Sequence, residues 1–184
     1  MGGGSGDRLV TQWTLGPDSG ELVLHTGVTG SASRMGHRLT IAVRSWHAVV
    51  DADGEVPSAV EVTVDLDSLE VLRGEGGMTP STGAEKALIR TNALKTLRAK
   101  KFPQARFRST SIERSGSAVR LLGVLELAGH SGEQTVEVEV SDESVLGTAS
   151  VRHSDFGLKP YSMLMGAMKV ADEVAVSLAV ARPA

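Results

Sequence analysis

Five histidines, His25, His37, His47, His130 and His153, are the side chains best suited to acid–base or metal chemistry in a 184-residue chain with no cysteine. Three imidazoles converging from adjacent strands could hold a zinc-like ion, which accepts nitrogen ligands in a tetrahedral shell. The spacing of these five matches no metal-binding motif, so histidines hydrogen-bonded or solvated at strand ends are the expectation. Asp65 and Asp67 stand on one face of an alternating run. Two carboxylates so placed could share general acid and base work, but their surroundings read as a solvated strand face. "RGEGGMT" (73–79) is a partial glycine-rich match without the strand–turn–helix unit that lets such a loop cradle phosphate, and it reads as a plain loop. "KTLRAKK" (95–101) offers cations to a phosphate, and reads more simply as the solvated end of a helix. The chain has no H-E-x-x-H, G-x-S-x-G or Walker A sequence. No catalytic residue, cofactor or metal is assigned on these grounds.

A different chemistry is offered by "YSMLMGAMK" (161–169), which gathers Met163, Leu164, Met165 and Met168 behind Tyr161. Methionine is unbranched and polarisable and moulds itself to varied apolar partners. Such a stretch suits a loop folded over the core, or the mouth of an apolar pocket.

The elements that must position these residues are mostly strands. Val60, Val62, Val64 and Leu66 alternate with Glu61, Thr63, Asp65 and Asp67. Val136, Val138 and Val140 alternate with Thr135, Glu137 and Glu139, and Leu121, Leu125 and Leu127 stand opposite Arg120 and Glu126. Val170, Val174, Val176, Leu178 and Val180 oppose Lys169, Glu173 and Ser177. This period of two is the mark of strands with one apolar face. Residues 21–29 and 39–50 and a short run around Trp13 are also β-rich. "GPDSG", "DADGEVP", "RSGS", "GHSGEQ" and "SDES" separate the runs and predict short antiparallel connections. About eight or nine such strands in one open sheet would leave an apolar face wet and two edges unprotected, so closure is expected.

One helix interrupts this pattern, expected over 83–101. Thr82 or Ser81 can cap it, with Glu85 in its first turn. Ala87, Leu88, Leu94 and Leu97 form its apolar stripe, and Lys95, Arg98, Lys100 and Lys101 suit its C-terminal half. Pro103 disfavours helical geometry at Phe102 and predicts the stop. Its place is across one end of the closed sheet.

Bulk properties narrow the function. A net charge of -3 and a pI near 6.0 argue against a general nucleic-acid binder. Aromatic residues make up 3% of the chain, too few for stacking bases or sugars. No apolar run approaches the roughly 20 residues that span a bilayer as a helix. The length suits one domain, read as residues 11–182 behind a flexible leader or cloning remnant at 1–10. "MGGGSGDRLV" is not a signal peptide as written, which predicts a cytoplasmic protein, or a periplasmic or exported one if a signal has been removed.

Several segments together resemble the YceI-like family of lipid-binding barrels. "SAVEVTVDLDSLEV" (58–71) is similar to the family's strand ending in Val-Asp-x-x-Ser-Leu. "KTLRAKKFPQARFRSTSI" (95–112) carries its helix-to-strand junction at Leu97, Phe102, Pro103, Phe107 and Ser109. "LLGVLELAGHSGEQTVEV" (121–138) and "DFGLKPYSMLMGAMKVADEVAVSL" (155–178) resemble its Gly-x-Leu hairpin and its closing stretch. The N-terminal part departs, with a Gly-His-x-Leu element at Gly36, His37 and Leu39 in place of the family's His-Ser pair and Gly-x-Phe.

The resemblance implies an all-β, extended lipocalin-like, eight-stranded antiparallel barrel, with the helix capping one end. It implies a lumen holding a long apolar lipid, commonly a polyisoprenoid, and a non-enzymatic role in binding, sequestration or transport. The lumen and its mouth are assigned to Val60, Val62, Val64, Leu66, Leu88, Leu97, Leu121, Leu125, Leu127, Val136, Val138, Tyr161, Met163, Leu164, Met165, Met168, Val174 and Val176. A transient membrane contact and a homodimer stay open as further partners; nucleic acid is not expected. Two alternatives stand beside this reading. One is an enzyme acting on a lipid or small apolar substrate with His37 or His25 as base. The other is a stress or interaction module with no obligatory ligand.

Overall fold

The computed structural model describes residues 10–77 and 81–184. Residues 1–9 and 78–80 lie outside the described residues, and with them most of the stretch read as a leader and the end of "RGEGGMT"; Arg73–Gly76 of that sequence, expected as loop, are the end of a strand. The strands are β1 (Val10–Leu15), β2 (Gly20–Thr29), β3 (His37–Val43), β4 (Trp46–Asp53), β5 (Val56–Asp65), β6 (Leu69–Gly76), β7 (Gln104–Ser115), β8 (Ala118–Leu127), β9 (His130–Val140), β10 (Ser144–Arg152), β11 (Ser162–Met163) and β12 (Met168–Ala181). They form one curled antiparallel sheet in the order β1-β4-β5-β7-β8-β9-β10-β12-β2-β3-β6, with β11 added against β12.

Twelve strands stand where eight are expected, because three long strands break. β1 pairs with β4 and β2 with β3, both antiparallel, so β1 and β2 run in line along one neighbour. "GPDSG" therefore makes a bulge and does not reverse the chain; the Ser19 amide donates to the Gly16 carbonyl at 2.8 Å. β3 runs into β4 through Arg44 and Ser45, and β5 into β6 through a 3₁₀ turn at Leu66–Ser68. β3 pairs with β6 and β4 with β5, so residues 37–76 form one long bent hairpin. Counted as continuous runs, the wall has eight members, plus the short β11. The bent hairpin has β4 and β5 near one end of the hydrogen-bonded path and β3 and β6 at the other, so it joins the two ends and curls the sheet into a barrel.

The breaks in the hairpin satisfy their own backbone groups, as buried polar groups must. The Arg44 amide donates to the Ser68 carbonyl at 3.1 Å, and the Asp65 amide to the Ser45 carbonyl at 3.0 Å. Ser68 Oγ accepts from the Ser45 amide at 2.9 Å and donates to the Asp65 carbonyl at 2.6 Å.

The alternation has the expected sense. Glu137 and Glu139 of β9 are exposed, while Val136, Val138 and Val140 turn inward. Arg120 of β8 meets Glu137 on the outer face, Nε to Oε1 2.8 Å. On β5 an outward residue differs from the expected solvated face: Thr63 is only 3% exposed, between the neighbouring strands.

α1 spans Gly83–Thr96, five residues shorter than expected at its C-terminus. Its start is as expected: Thr82 accepts from the Glu85 amide, and the Glu85 carboxylate accepts from the Thr82 amide, a complete capping box. Its end is a Schellman turn, with Arg98 left-handed at φ 53°. The Arg98 amide donates to the Lys95 carbonyl at 3.1 Å, and the Ala99 amide to the Leu94 carbonyl at 3.0 Å. The stop thus precedes Pro103, and Arg98, Lys100 and Lys101 lie beyond the helix. Leu94 and Leu97 pack inward as expected, but Ala87 and Leu88 are exposed and Ile89 takes the inward position.

Three apolar clusters result. One gathers Leu15, Leu22, Leu39, Ile41, Val43 and Trp46 around the strand breaks. A second joins Leu66, Ala99, Leu127, Ala128, Leu158 and Phe156, the last 1% exposed, and plugs part of the end that holds the helix. A third holds Phe107, Val119 and Leu121.

Candidate ligand-binding lumen

The inner faces of the strands enclose a cavity of about 1000 Å³. β5 gives it Val60, Val62 and Val64, with Leu66 from the following turn; β8 gives Leu121, Leu125 and Leu127; β9 gives Val136 and Val138; β12 gives Met168, Val174 and Val176. Leu88 and Leu97 reach it from the helix segment, and Tyr161, Met163 and Leu164 from the stretch before β12. Of the residues expected at the lumen, Met165 alone is not brought to it. It sits in a left-handed turn with φ 55° and points wholly into solvent. Leu88 lines the cavity as part of its rim and is 61% exposed.

The inward side chains of β9 are only half-buried although they face the barrel interior. They border the cavity instead of packing against an opposite wall. The lumen thus runs along β5, β8, β9 and β12, while the tightly buried side chains sit at the breaks, at the plugged end and in the cluster of Phe107, Val119 and Leu121 on β7 and β8.

The N-terminal half contributes much that was not assigned. Leu15, Leu22, Leu24, Leu39, Ile41 and Trp46 all line the cavity. Their alternation is visible in the sequence; the in-line bulge at "GPDSG", mistaken for a reversal, hid their common face. From α1, Glu85, Ile89, Asn92 and Thr96 line it as well, at helical spacing. The helix thus adds polar groups to a wall that is chiefly aliphatic, with further polar or charged side chains such as His37, Glu55, Arg114, Gln134 and His153 on the strands and loops.

The residues with acid–base potential are mostly occupied elsewhere. His25 and His47 are exposed on the outer face, and His130 Nδ1 lies 3.2 Å from the Ala128 carbonyl. His153 lines the cavity, with Nδ1 at 2.8 Å from the Asp172 carbonyl; His37 lines it near the helix. Among the described residues, no three His, Asp or Glu side chains gather as metal ligands do. Asp65 accepts from Ser45 and Gln104, and these bonds hold its carboxyl below the usual carboxylate range. Asp67 receives Arg90 at 3.2 Å. Both carboxylates tie the strand break to its neighbours and do not face each other as an acid–base pair. No described helix is long and apolar enough to cross a membrane.

A curled antiparallel wall around one chiefly aliphatic lumen, with a helix over one end, defines a barrel of the extended lipocalin-like kind. Residues 13–181 match the YceI-like domain, and the chain belongs to the YceI-like family. Among solved structures it is similar to BcnA of Burkholderia cenocepacia, with a TM-score of 0.66 at 19% identity over 89% of this chain and 96% of that one. It is also similar to the YceI protein of Campylobacter jejuni, with a TM-score of 0.57 at 15% identity over 77% and 82% of the two chains. A variant of that protein holding a monobromobimane guest gives 0.58 at 16% identity over the same shares. Among curated proteins none matches significantly.

Proposed function

We propose that this protein binds a long apolar lipid, polyisoprenoid-like in being a flexible branched chain, and shields it from water without transforming it. The supporting observation is the lumen itself: about 1000 Å³, continuous from the helix end into the barrel, and walled chiefly by Val, Leu and Ile. Burying apolar chain in such a wall stabilises the complex by about 0.8 kcal/mol per methylene, so a few isoprene units suffice for firm binding without a polar contact. Aliphatic branching on the wall complements a branched chain better than a flat ring. The few polar groups on the helix face, Asn92 and Thr96, stand where a terminal hydroxyl or similar small group could be met. A binding role also fits the histidines, since His153, which lines the lumen, engages the Asp172 carbonyl.

The test is extraction of the purified, detergent-free protein with organic solvent, followed by mass spectrometry. The expected result is one class of long-chain apolar lipid in near-stoichiometric amount. A mixture reflecting bulk phospholipid at trace level, or turnover of an added lipid with a pH profile that follows a histidine, would overturn the proposal.

A further inference from the structure

The rim of the lumen at the helix end exposes Met35, Leu88, Met163 and Leu164, each close to half exposed or more, and the adjoining Met165 is fully exposed. The first four also line the cavity, so this apolar patch is continuous with the lumen. Its tip is held out against local preference. Leu164 and Met165 are consecutive non-glycine residues in the left-handed region, at φ 53° and 55°, followed by Gly166 at 88°. Left-handed geometry crowds the Cβ of an L-residue, and two in succession persist only where surrounding structure imposes them. Here the Ala32 amide anchors the turn by donating to the Ala167 carbonyl at 2.8 Å, which binds the β2–β3 connection to it.

Among the described residues, exposed cations without an ion pair stand around this tip, as Arg38, Arg114 and Arg152 also do on the barrel wall among arginines that are paired. Arg44, Arg73, Arg90, Arg106, Arg108, Arg120 and Arg182 each meet a carboxylate. Arg34, beside Met35, and Lys159 and Lys169, flanking the Met-rich stretch, are exposed and make no ion pair among the described residues. Of the carboxylates on neighbouring elements, Glu75 is paired with Arg73, while Glu85 in the capping box and Asp172 bonded to Ser154 keep their charge. An otherwise acidic protein therefore presents free cations around an apolar tip.

We infer that this rim is a docking surface for a bilayer containing anionic lipid, with Met165 and Leu164 inserting among the acyl chains and Arg34, Lys159 and Lys169 at the headgroups. The combination of apolar insertion and cationic attraction is what binds interfacial segments to anionic membranes. Docked this way, the lumen opens directly onto the hydrocarbon, and an apolar chain passes between the two without crossing water. The inference rests on the lipid-binding reading of the lumen, but its test is separable from it. Met165, Arg34 and Lys169 do not line the cavity.

The experiment is flotation of the full chain with vesicles of phosphatidylglycerol and phosphatidylcholine, and with vesicles of phosphatidylcholine alone, at low and high salt. In parallel, binding of a fluorescent polyprenyl probe is measured in vesicle-free buffer. The wild type should float with the anionic vesicles and be released by salt. Met165→Asp should abolish flotation, and Arg34→Gln and Lys169→Gln should each weaken it about fivefold, the loss of roughly one surface cation's attraction. Probe binding should be unchanged in all three. Flotation that ignores lipid charge, or variants that float like the wild type, would overturn the inference. So would a patch that instead drives association with a second copy, seen as a dimer lost in Met165→Asp without flotation. If the probe fails to bind while flotation behaves as described, the lumen proposal falls and the docking surface stands.

Discussion

Ser45 donates its hydroxyl hydrogen to Asp65 Oδ2 at 2.5 Å, and the Asp65 amide donates back to the Ser45 carbonyl at 3.0 Å. The pair stitches together two neighbouring strands at the point where both break, and Gln104 Nε2 adds a bond to Asp65 Oδ1 at 2.9 Å. Together with the Ser68 and backbone bonds across the breaks, this partly exposed carboxylate pins the bent hairpin that curls the sheet. The Ser45 hydroxyl, and then Gln104, favour its ionised form, so its folded pKa lies below the ordinary value. Its contribution to stability is fully present above the unfolded pKa, about 3.9, and is lost as pH falls through the folded pKa. Asp65→Asn should cost about 1 kcal/mol at neutral pH, a modest figure because the site is partly solvated. Denaturant melts across the acid range check this: the gap between wild type and variant should narrow below about pH 4. A gap that widens there would contradict the assignment.

Gly123 faces the bulge in β7 between Ser109 and Ser111. A Cβ at this position would lie 2.3 Å from the Arg108 carbonyl oxygen and 2.7 Å from the Phe107 ring. The carbonyl belongs to the sheet and cannot swing away. Gly123→Ala should therefore destabilise by about 1–3 kcal/mol, as overpacking does, and a thermal melt reads it directly. An unchanged melting temperature would show that the bulge yields.

Arg98 occupies the left-handed position of the Schellman turn, where glycine has no Cβ to crowd. Arg98→Gly should stabilise by about 0.5–1 kcal/mol, net of glycine's greater freedom in the unfolded chain. That is roughly a 1–4 °C rise in Tm for a chain of this size. A fall in Tm would mean the arginine side chain makes a compensating contact.

Met163 and Leu164 border the lumen but are exposed, whereas Val138 is part of the inner wall. Replacing Met163 and Leu164 together by Ser should leave the melting curve close to wild type and speed release of a polyprenyl probe. Val138→Asp should lower stability by several kcal/mol, since it turns an unpaired charge into an apolar lumen. Circular dichroism melts and probe release, run on both variants, separate rim from wall. Joint loss of stability would make the Met-rich stretch part of the core.

How far the sequence carried is best seen strand by strand. The inner faces of β5, β8, β9 and β12 were legible because each has charged residues on the face opposite its aliphatic row, although β8 also sets Leu122 and Val124 beside Arg120 and Glu126. β3 and β4 were less so: "TIAVRSW" has buried residues on both faces, Thr40 and Ala42 as well as Ile41 and Val43, so no polar face marks the alternation. The strand breaks left weak signals. Ser45, Asp65 and Ser68 act through contacts between segments some 20 residues apart, which no local pattern reveals. The tight turn between β8 and β9 falls at Ala128 and Gly129, both with positive φ, so only the first residue of "GHSGEQ" is in the turn and the rest belongs to β9. Ala128 is fully buried, and packing overrides alanine's reluctance to be left-handed. Met165 was misplaced because composition shows a cluster of methionines but not which of them a left-handed turn sends outward.

The central claim is that the lumen holds an apolar chain by burying it. Affinity for a graded series of polyprenols, differing only in chain length and measured by competition against one fluorescent probe, tests this most directly. Binding should tighten with each added isoprene unit, at up to about 0.8 kcal/mol per buried carbon, and then level off once the chain outgrows the lumen. Val176→Trp, which places bulk in the middle of the cavity wall, should shift that plateau to shorter chains. Affinity that is independent of chain length, or set by the headgroup alone, would contradict it.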